Sequence, residues 1–261
     1  MTSGIITLLT DFGADSPYVA EMKGAILAVS RLATIVDLTH SVAPQNIRQG
    51  AYLLDRTYRS FPYGTVHVAV VDPGVGSQRK IIAAEINGQI FVLPDNGLLS
   101  VVAASGEATQ LREVANPKLW RQTVSATFHG RDVMGPVGAY LAAGGLWDEV
   151  GPPTSEIARF ELPAVSRKAG LIDGEVIYAD SFGNLVTNIT RNDLESVEIL
   201  SIEIDGRPVG PLSSTYSEQN TGSPIALIGS SGQLEISIVS GSASAWLGGS
   251  FAGKVKIEVK S

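Results

Sequence analysis

The chain has 261 residues, of which 44% are hydrophobic and 17% are charged. This composition predicts a folded protein with enough apolar side chains for one large or two modest cores. The formal net charge of −7 argues against nonspecific binding of nucleic acid, which requires a basic surface, and suits a cationic small ligand. The chain contains no cysteine, so disulfides and zinc sites built on thiolates are excluded.

The N-terminal stretch MTSGIITLLTDFG predicts a first strand rather than a signal peptide. It has no basic region before its apolar run, and Asp11 interrupts that run early. No apolar segment approaches the length of a membrane span. We therefore expect a cytoplasmic protein without a membrane partner.

Strand and helix patterns alternate in the first part of the chain. Aliphatic and β-branched runs indicate strands buried on both faces, and apolar residues at helical spacing indicate the helices between them. Asn87-Gly88 between two such runs predicts a hairpin. The alternation predicts an α/β domain with a largely parallel central sheet, whose carboxyl edge carries Asp11 and Asp72. The predicted strands are Ile5–Thr10, Thr34–Leu38, Val66–Val71, Ile81–Ile86 and Gln89–Leu93, and the predicted helices are Tyr18–Leu32, Asn46–Phe61 and Asp132–Ala143.

From about Gly170 onward the pattern consists of short strands separated by turn residues. It predicts an all-β module, a small barrel or sandwich, in which only Asn192–Ser196 has a weak helical pattern. The Ser/Gly-rich stretch Ser240–Ser250 is expected to be a loop around Trp246. The chain is therefore divided into an N-terminal domain, 1–165, and a C-terminal domain, 166–261. The predicted C-terminal strands are Gly174–Tyr178, Leu185–Ile189, Val197–Ile204, Ile225–Ile228, Leu234–Ile238 and Gly253–Val259.

The segment VVDPGVGSQRK, followed later by TFHGRD, holds the strongest candidate site. It offers a carboxylate (Asp72), a guanidinium (Arg79) and an imidazole (His129), each near glycines that let a ligand approach the backbone. Such a trio can polarise a water, hold a phosphate or bind a metal. The chain has no phosphate-binding loop, no dinucleotide fingerprint and no dense set of metal ligands, so we expect no metal and no cofactor.

Other candidate residues each have a structural alternative. Asp11 either caps a loop or accepts hydrogen bonds from the diol of a ribose. Ser16 either caps the first helix or marks a helix start whose N–H groups receive a carboxylate. In DSFGNLVTNI, Phe182 and Asn184 form either a hairpin corner or an adenine clamp. For Ser230 and Glu235, in the turn and strand IGSSGQLEISIV of the C-terminal module, the alternative is a purely structural role.

Several long motifs of this chain occur in the same order in a known enzyme family. LLTDFG, DSPYVAEMKGAI, VDLTHSVAPQNIRQGA, TVHVAVVDPGVG, PDNGLLS, TFHGRD, DSFGNLVTNI and SSGQLEI resemble those of S-adenosyl-L-methionine (SAM) hydrolases. These enzymes are also called SAM hydroxide adenosyltransferases and are relatives of fluorinating and chlorinating SAM enzymes. The resemblance implies an α/β domain joined to a C-terminal β-barrel, and a homotrimer with sites at subunit interfaces.

The resemblance also implies a role for each matching residue. Asp72, Arg79 and His129 would handle the attacking water, and Asp11 would hold the ribose diol. Ser16 would lie near the methionine end of the substrate. The remaining contacts, to adenine and from the C-terminal module, would come from Phe182, Asn184, Tyr216, Ser230, Glu235 and Ile238.

Two positions favour water over halide as the nucleophile. Halogenating relatives have a tyrosine at the position of Asp72, and the fluorinating enzymes have a halide-binding serine at the position of Gly130. A tryptophan that stacks under the ribose in fluorinating relatives is replaced here by Gln45.

The resemblance implies hydrolysis of SAM to adenosine and L-methionine. A SAM-dependent halogenase and a non-catalytic adenosine or SAM binding module remain as alternatives.

Overall fold

The structure is a computed structural model that describes residues 4–249 and 253–260. Its backbone contacts divide the chain into two compact units, Met1–Phe160 and Glu161–Ser261. Both units are built on a β-sheet, and the first also has helices on its sheet.

The N-terminal unit alternates strands and helices in its first half. Its central sheet has the strand order β2-β1-β3-β5-β4-β6, in which β2, β1, β3 and β5 run parallel while β4 and β6 run antiparallel to their neighbours. The elements are β1 (Ile5–Thr10), α1 (Pro17–Val29), β2 (Thr34–Thr39), α2 (Ile47–Tyr58), β3 (Val66–Val70), β4 (Ile81–Ile86), β5 (Gln89–Pro94), α3 (Ser100–Ala104), β6 (Ala108–Glu113) and α4 (Gly135–Ala142).

Side chains alternate between the two faces of the sheet, so each face has its own apolar core. Ile6 and Leu8 of β1 pack with α1 and α4 on one face, and Leu9 packs with α2 and α3 on the other. The predicted hairpin is confirmed, because Asn87 and Gly88 connect antiparallel β4 and β5 and both have positive φ angles, of 52° and 71°. The sheet is therefore parallel at its centre and antiparallel at one edge.

The helices begin where capping side chains satisfy free backbone N–H groups. Ser16 accepts a hydrogen bond from the N–H of Tyr18, and Asn46 accepts one from the N–H of Gln49 at 3.0 Å. The predicted helix Asp132–Ala143 begins earlier than expected, with a π-helical turn, Gly130–Met134, that continues into α4. A π-helical turn has more residues per turn than an α-helix, so the apolar spacing of an α-helix does not detect it.

The C-terminal unit contains one nine-stranded sheet, in which β7 pairs with β8 beside the strand order β11-β10-β15-β8-β9-β14-β13-β12. Among the described residues no pairing joins the end strands β11 and β12. The strands are β7 (Ser166–Lys168), β8 (Leu171–Ala179), β9 (Leu185–Thr190), β10 (Ile199–Ile204), β11 (Arg207–Val209), β12 (Leu212–Ser213), β13 (Pro224–Ile228), β14 (Gln233–Ile238) and β15 (Lys254–Val259).

Two local predictions in this unit need correction. The weak helical pattern at Asn192–Ser196 corresponds to a single 3-10 turn, Arg191–Leu194, closed by Asp193, which accepts hydrogen bonds from the N–H and hydroxyl of Thr190. The expected loop around Trp246 contains a short helix, α5 (Ala243–Trp246), capped by a serine side chain, and its last predicted residue lies outside the described residues. In both segments a local hydrogen bond decides the conformation, and periodicity does not detect it.

Within the described ranges, no helix combines the length and the apolar character that crossing a bilayer requires.

Candidate active site

Arg79 contacts both Asp72 and His129, although His129 lies 57 positions after Asp72 in the sequence. Arg79 Nε lies 2.9 Å from Asp72 Oδ1 and 3.0 Å from Oδ2, and Arg79 Nη2 also donates to Oδ2. The same Nη2 lies 3.0 Å from His129 Nδ1. The side chains of Asp72 and Arg79 are only 4% and 10% exposed, so this charge-assisted contact is largely shielded from water.

The loop between β3 and β4 brings Asp72 and Arg79 together. Asp72 follows β3 directly, and the Ser77 hydroxyl accepts a hydrogen bond from the N–H of Arg79 at 3.2 Å. Gly76 has φ +78°, and a Cβ there would lie 2.5 Å from the carbonyl oxygen of Ala126. Only glycine therefore allows the loop to pack against the segment that leads to the imidazole.

His129 precedes the π-helical turn, and a buried carboxylate anchors the segment in front of it. The side chain of Asp132 is fully buried and accepts hydrogen bonds from Arg121 Nη1 at 3.0 Å and from the N–H of Ser125 at 2.8 Å. The backbone N–H of Arg121 also donates to the backbone carbonyl of Asp132, at 2.9 Å. π-helical turns are frequent at functional sites, and this one begins at Gly130, directly after His129.

Burial and neighbouring groups shift the pKa values of both His129 and Asp132. Burial lowers the pKa of His129, and the Arg79 guanidinium lowers it further, against smaller opposing effects of Asp72 and Asp132. Burial would raise the pKa of Asp132, but hydrogen bonds, first among them that from Arg131, outweigh it and hold this pKa below its usual value. These shifts favour a neutral imidazole on His129 and an ionised carboxylate on Asp132.

A cleft of about 300 Å³ opens beside the trio at the carboxyl ends of β1 and β3. Arg79 is not among the residues that line it, and so its guanidinium lies behind the other two members of the trio. One wall is aromatic, because the rings of Phe12 and Phe128 meet edge to face at 5.6 Å. The cleft is lined by Asp11, Phe12, Gln45, Val70, Asp72, Pro73, Val75, Thr127, Phe128, His129 and Gly130.

Asp11 and Ser16 have different places near this cleft. Asp11 lines it, and its Oδ2 accepts a hydrogen bond from the N–H of Gln45 at 2.8 Å. Gln45 lies in the left-handed region with φ +63°, a conformation unusual for a residue with a side chain. Ser16 caps α1, as its structural alternative predicts, and is not among the lining residues in the described part of the chain.

In the C-terminal unit, Asp180 organises the turn that contains Phe182 and Asn184. Asp180 Oδ1 accepts from the backbone N–H groups of Phe182 and Asn184, each at 2.9 Å, and Oδ2 accepts from the Asn184 amide at 2.9 Å. The turn is therefore a hairpin corner between β8 and β9, which is the structural alternative for this motif, and Asp180 closes it as an Asx turn. Phe182 is 77% exposed, so its aromatic side chain is open to solvent at this turn.

Tyr216, Ser230, Glu235 and Ile238 lie on or beside β14. The Tyr216 hydroxyl donates to Glu235 Oε2 at 3.4 Å, and burial and the Glu235 charge raise the pKa of Tyr216. Glu235 is 5% exposed and packs over Gly229, where a Cβ would lie 1.8 Å from its carboxylate. Ser230 is in the turn before β14, and Ile238 is the last residue of that strand. The Asp180 carboxylate also contributes to the raised pKa of Tyr216, so the two clusters are neighbours.

Sequence reasoning missed three parts of the site in the N-terminal unit. Phe12 directly follows Asp11 and Phe128 directly precedes His129 in the sequence, and this adjacency to candidate residues was the available signal for the aromatic wall. The anchoring role of Asp132 had no such signal, because a buried carboxylate is recognised only by its partners. No group of three or more His, Asp or Glu side chains suited to a metal ion occurs in the described part of the chain.

The fold and the cleft define an α/β protein with a charged and imidazole-bearing site at the carboxyl edge of its sheet, a common position for small-molecule sites. Family models for the N-terminal and C-terminal domains of SAM hydroxide adenosyltransferases match residues 6–151 and 174–256. The chain belongs to the SAM hydroxide adenosyltransferase family.

Individual relatives match over nearly the whole chain. An (R)-S-adenosyl-L-methionine hydrolase of Thermus thermophilus is 36% identical over 253 residues, which cover 93% of this chain and 95% of the relative. A fluorinase of an Actinoplanes species is 32% identical, with 89% of this chain and 90% of the relative covered. The crystal structure of an uncharacterized conserved protein from Thermotoga maritima superimposes with a TM-score of 0.91 at 34% identity, covering 97% of this chain and 99% of that one.

Proposed function

We propose that this protein hydrolyses S-adenosyl-L-methionine to adenosine and L-methionine, with water as the nucleophile at the ribose 5′ carbon. The observation that carries the proposal is the contact of Arg79 with both Asp72 and His129 beside a cleft that also contains Asp11. The names of the most similar curated relatives support the same reaction and suggest the (R)-sulfonium epimer as substrate.

The hydrogen bonds of the trio suggest how its protons are arranged. A guanidinium is only a donor, so the 3.0 Å contact from Arg79 Nη2 requires His129 Nδ1 to accept. A neutral imidazole then carries its proton on Nε2, from which it can donate a hydrogen bond to the nucleophilic oxygen. The carboxylate of Asp72 retains lone pairs that the guanidinium does not occupy and is the acceptor for the proton of the water.

In the proposed step, water attacks the 5′ carbon in line with the departing sulfur. A carbon–oxygen bond forms, the carbon–sulfur bond breaks, and its electron pair converts the sulfonium to the neutral thioether of methionine. The leaving group needs no general acid, so the protein has only to position the water, accept one proton and exclude competing solvent. Arg79, behind the other two, holds the carboxylate and the ring in place and balances the negative charge.

The resemblance supplies the rest of the proposal. Asp11 binds the ribose diol and Ser16 lies near the methionine end. The C-terminal unit supplies Phe182, Asn184 and Tyr216 against adenine, with Ser230, Glu235 and Ile238 as further contacts. The resemblance further suggests a homotrimer with sites at subunit interfaces and a C-terminal barrel, and we propose a cytoplasmic location. Light scattering of the purified protein tests the trimer, and dilution to monomers is expected to abolish turnover.

No metal or cofactor takes part in the proposed reaction. At the centre of the site a guanidinium occupies both oxygens of Asp72, and its positive charge opposes binding of a cation there. Turnover is therefore expected to persist after treatment with a chelator and gel filtration. Loss of activity that returns on adding a divalent cation would contradict this part of the proposal.

The experiment that tests the function is incubation of the purified protein with each sulfonium epimer of SAM, followed by chromatography of the products. The expected result is release of equal amounts of adenosine and methionine, faster with the (R) epimer. A parallel reaction with chloride or fluoride, analysed by mass spectrometry, would reveal a 5′-halo-5′-deoxyadenosine if the protein is instead a halogenase. Binding of SAM or adenosine without any product would support the binding-module alternative.

A further inference from the structure

A second chain of polar contacts lies at the ends of β1 and β2 and has no part in the proposed reaction step. Thr10 Oγ1 is 2.9 Å from His40 Nδ1, and His40 Nε2 is 3.1 Å from Asp37 Oδ1. Lys23 of α1 lies 2.6 Å from the other oxygen of Asp37. Thr10 is fully buried and His40 is 8% exposed, so the inner half of the chain has no access to bulk water.

The charge of Asp37 favours one arrangement of protons on a neutral His40. A ring proton on Nε2 then faces the Asp37 carboxylate 3.1 Å away, which leaves Nδ1 to accept from the hydroxyl of Thr10. Burial would raise the pKa of Asp37, but hydrogen bonds from Lys23 and His40 outweigh it and hold this pKa below its usual value. The Thr10 oxygen is then oriented as an acceptor toward the backbone beyond β1.

This chain of polar contacts ends on the loop that carries Asp11. The N–H of Phe12 donates to Thr10 Oγ1 at 3.2 Å, and the N–H of Gly13 donates to the carbonyl of His40 at 2.8 Å. Asp11 directly precedes these two anchored residues, and both Asp11 and Phe12 line the cleft. Two of the three residues in this turn are therefore fixed by Thr10 and His40.

We propose that Thr10, His40 and Asp37 are positioning residues that fix the direction of the Asp11 carboxylate and so set the affinity of the cleft for the sugar of its substrate. This inference rests on the proposed function, because it assumes that Asp11 contacts a ribose. The chain acts through the backbone N–H groups of Phe12 and Gly13, and among the described residues it has no hydrogen bond or ion pair with Asp72, Arg79 or His129. It therefore controls binding and leaves the chemical step almost unchanged.

The protein offers a matched control on the same strand, β1. Thr7 Oγ1 is 2.7 Å from His67 Nδ1, and both residues are fully buried. Side chains three positions apart on a strand point to opposite faces, so this second Thr–His pair lies on the face of the sheet away from Thr10. Thr7→Val removes the same type of buried hydrogen bond as Thr10→Val, without touching the loop of Asp11.

The test compares Thr10→Val, Thr10→Ser and Thr7→Val in the full-length protein. Thr10→Val is expected to raise both the KM for SAM and the Kd for adenosine by about tenfold, the equivalent of one lost hydrogen bond, with kcat changed by less than about threefold. Thr10→Ser keeps the hydroxyl and is expected to restore both values to within about twofold of the parent. Thr7→Val is expected to leave KM and Kd at the parent values.

The possible results of these measurements test the positioning role of Thr10 and the hydrolase proposal separately. Unchanged KM and Kd in Thr10→Val, or an equal rise in Thr7→Val, would overturn the positioning role. A parent protein that binds adenosine but releases none from SAM would overturn the hydrolase proposal alone, because the adenosine Kd, measured by calorimetry, still tests the role of Thr10. A parent protein that binds neither adenosine nor SAM would overturn both.

Discussion

Asp72 and Arg79 form a side-on ion pair in which the guanidinium Nε lies at 2.9 and 3.0 Å from the two carboxylate oxygens. The Nη2 group of the same guanidinium also reaches His129. One planar group thus fixes the relative positions of a carboxylate and an imidazole that come from different loops. An ammonium cannot reproduce this contact, because it is a single point of charge without a rigid fork.

Arg79→Lys is therefore expected to lower kcat for adenosine release by about 10²–10⁴, close to the effect of losing a positioned acid–base group. Chromatography of adenosine under saturating SAM gives the measurement. The control is Arg59→Lys, which alters an arginine–aspartate pair on the exposed surface of α2 and is expected to leave kcat unchanged. Full activity of Arg79→Lys would mean that the fork geometry has no catalytic role.

The pH dependence of turnover is expected to follow the protonation of His129. Its pKa is lowered by burial and by Arg79, so the ring remains neutral below the ordinary histidine value of 6.5. A second ring proton would have to face the guanidinium, which breaks the contact. We expect kcat/KM to stay level as the pH falls through 6.5 and to decline only below it. A decline centred above pH 6.5 would contradict this assignment.

Gly130→Ala is expected to narrow the cleft and to destabilise the protein. A Cβ at this position would lie 3.3 Å from both methyl groups of Val70 and 3.5 Å from the ring of Phe12. We expect a loss of about 1–3 kcal/mol in the free energy of unfolding, measured with urea, together with a higher KM for SAM. In the control Gly24→Ala, on α1, no atom other than those of its two chain neighbours and of its own helix backbone lies within 4 Å of the new methyl group, and stability is expected to rise by about 0.5–1 kcal/mol. Equal effects of both substitutions would show that the space around Gly130 is not restrictive.

His67 is expected to make the fold sensitive to acid. Burial lowers its pKa to about 4, whereas the unfolded chain takes up this proton near 6.5. Its contribution to stability is therefore fully present above pH 6.5 and is lost as the pH falls toward 4, by about 2–3 kcal/mol at pH 4.5. Urea denaturation of the parent and of His67→Gln at pH 7.5 and 4.5 gives the comparison. The variant should lose less stability than the parent over this range, and parallel losses would show that His67 does not contribute.

The parallel centre of the N-terminal sheet and the Asn87-Gly88 hairpin were predictable, because buried strands and tight turns have local signatures. The antiparallel edge strand β6 was not, since the sequence of Ala108–Glu113 alternates weakly and only its pairing with β4 makes it a strand. The direction of a strand pair depends on distant residues, and local propensity does not contain that information.

The same distinction applies to the site. Asp72 and His129 were singled out because each stands beside glycines that break a regular element. Their contact through Arg79 depends on the close approach of the loop at Gly76 to a segment far along the chain. The network of Thr10 and His40 was not predicted, because buried polar residues within strand patterns have no spacing that distinguishes them from core positions.

The most direct test of the central claim is hydrolysis of SAM in water enriched in the heavy oxygen isotope, followed by mass spectrometry of both products. If water attacks the ribose 5′ carbon, adenosine carries one heavy oxygen on its 5′ hydroxyl group and methionine carries none. Adenosine without the label, or labelled methionine, would contradict the account.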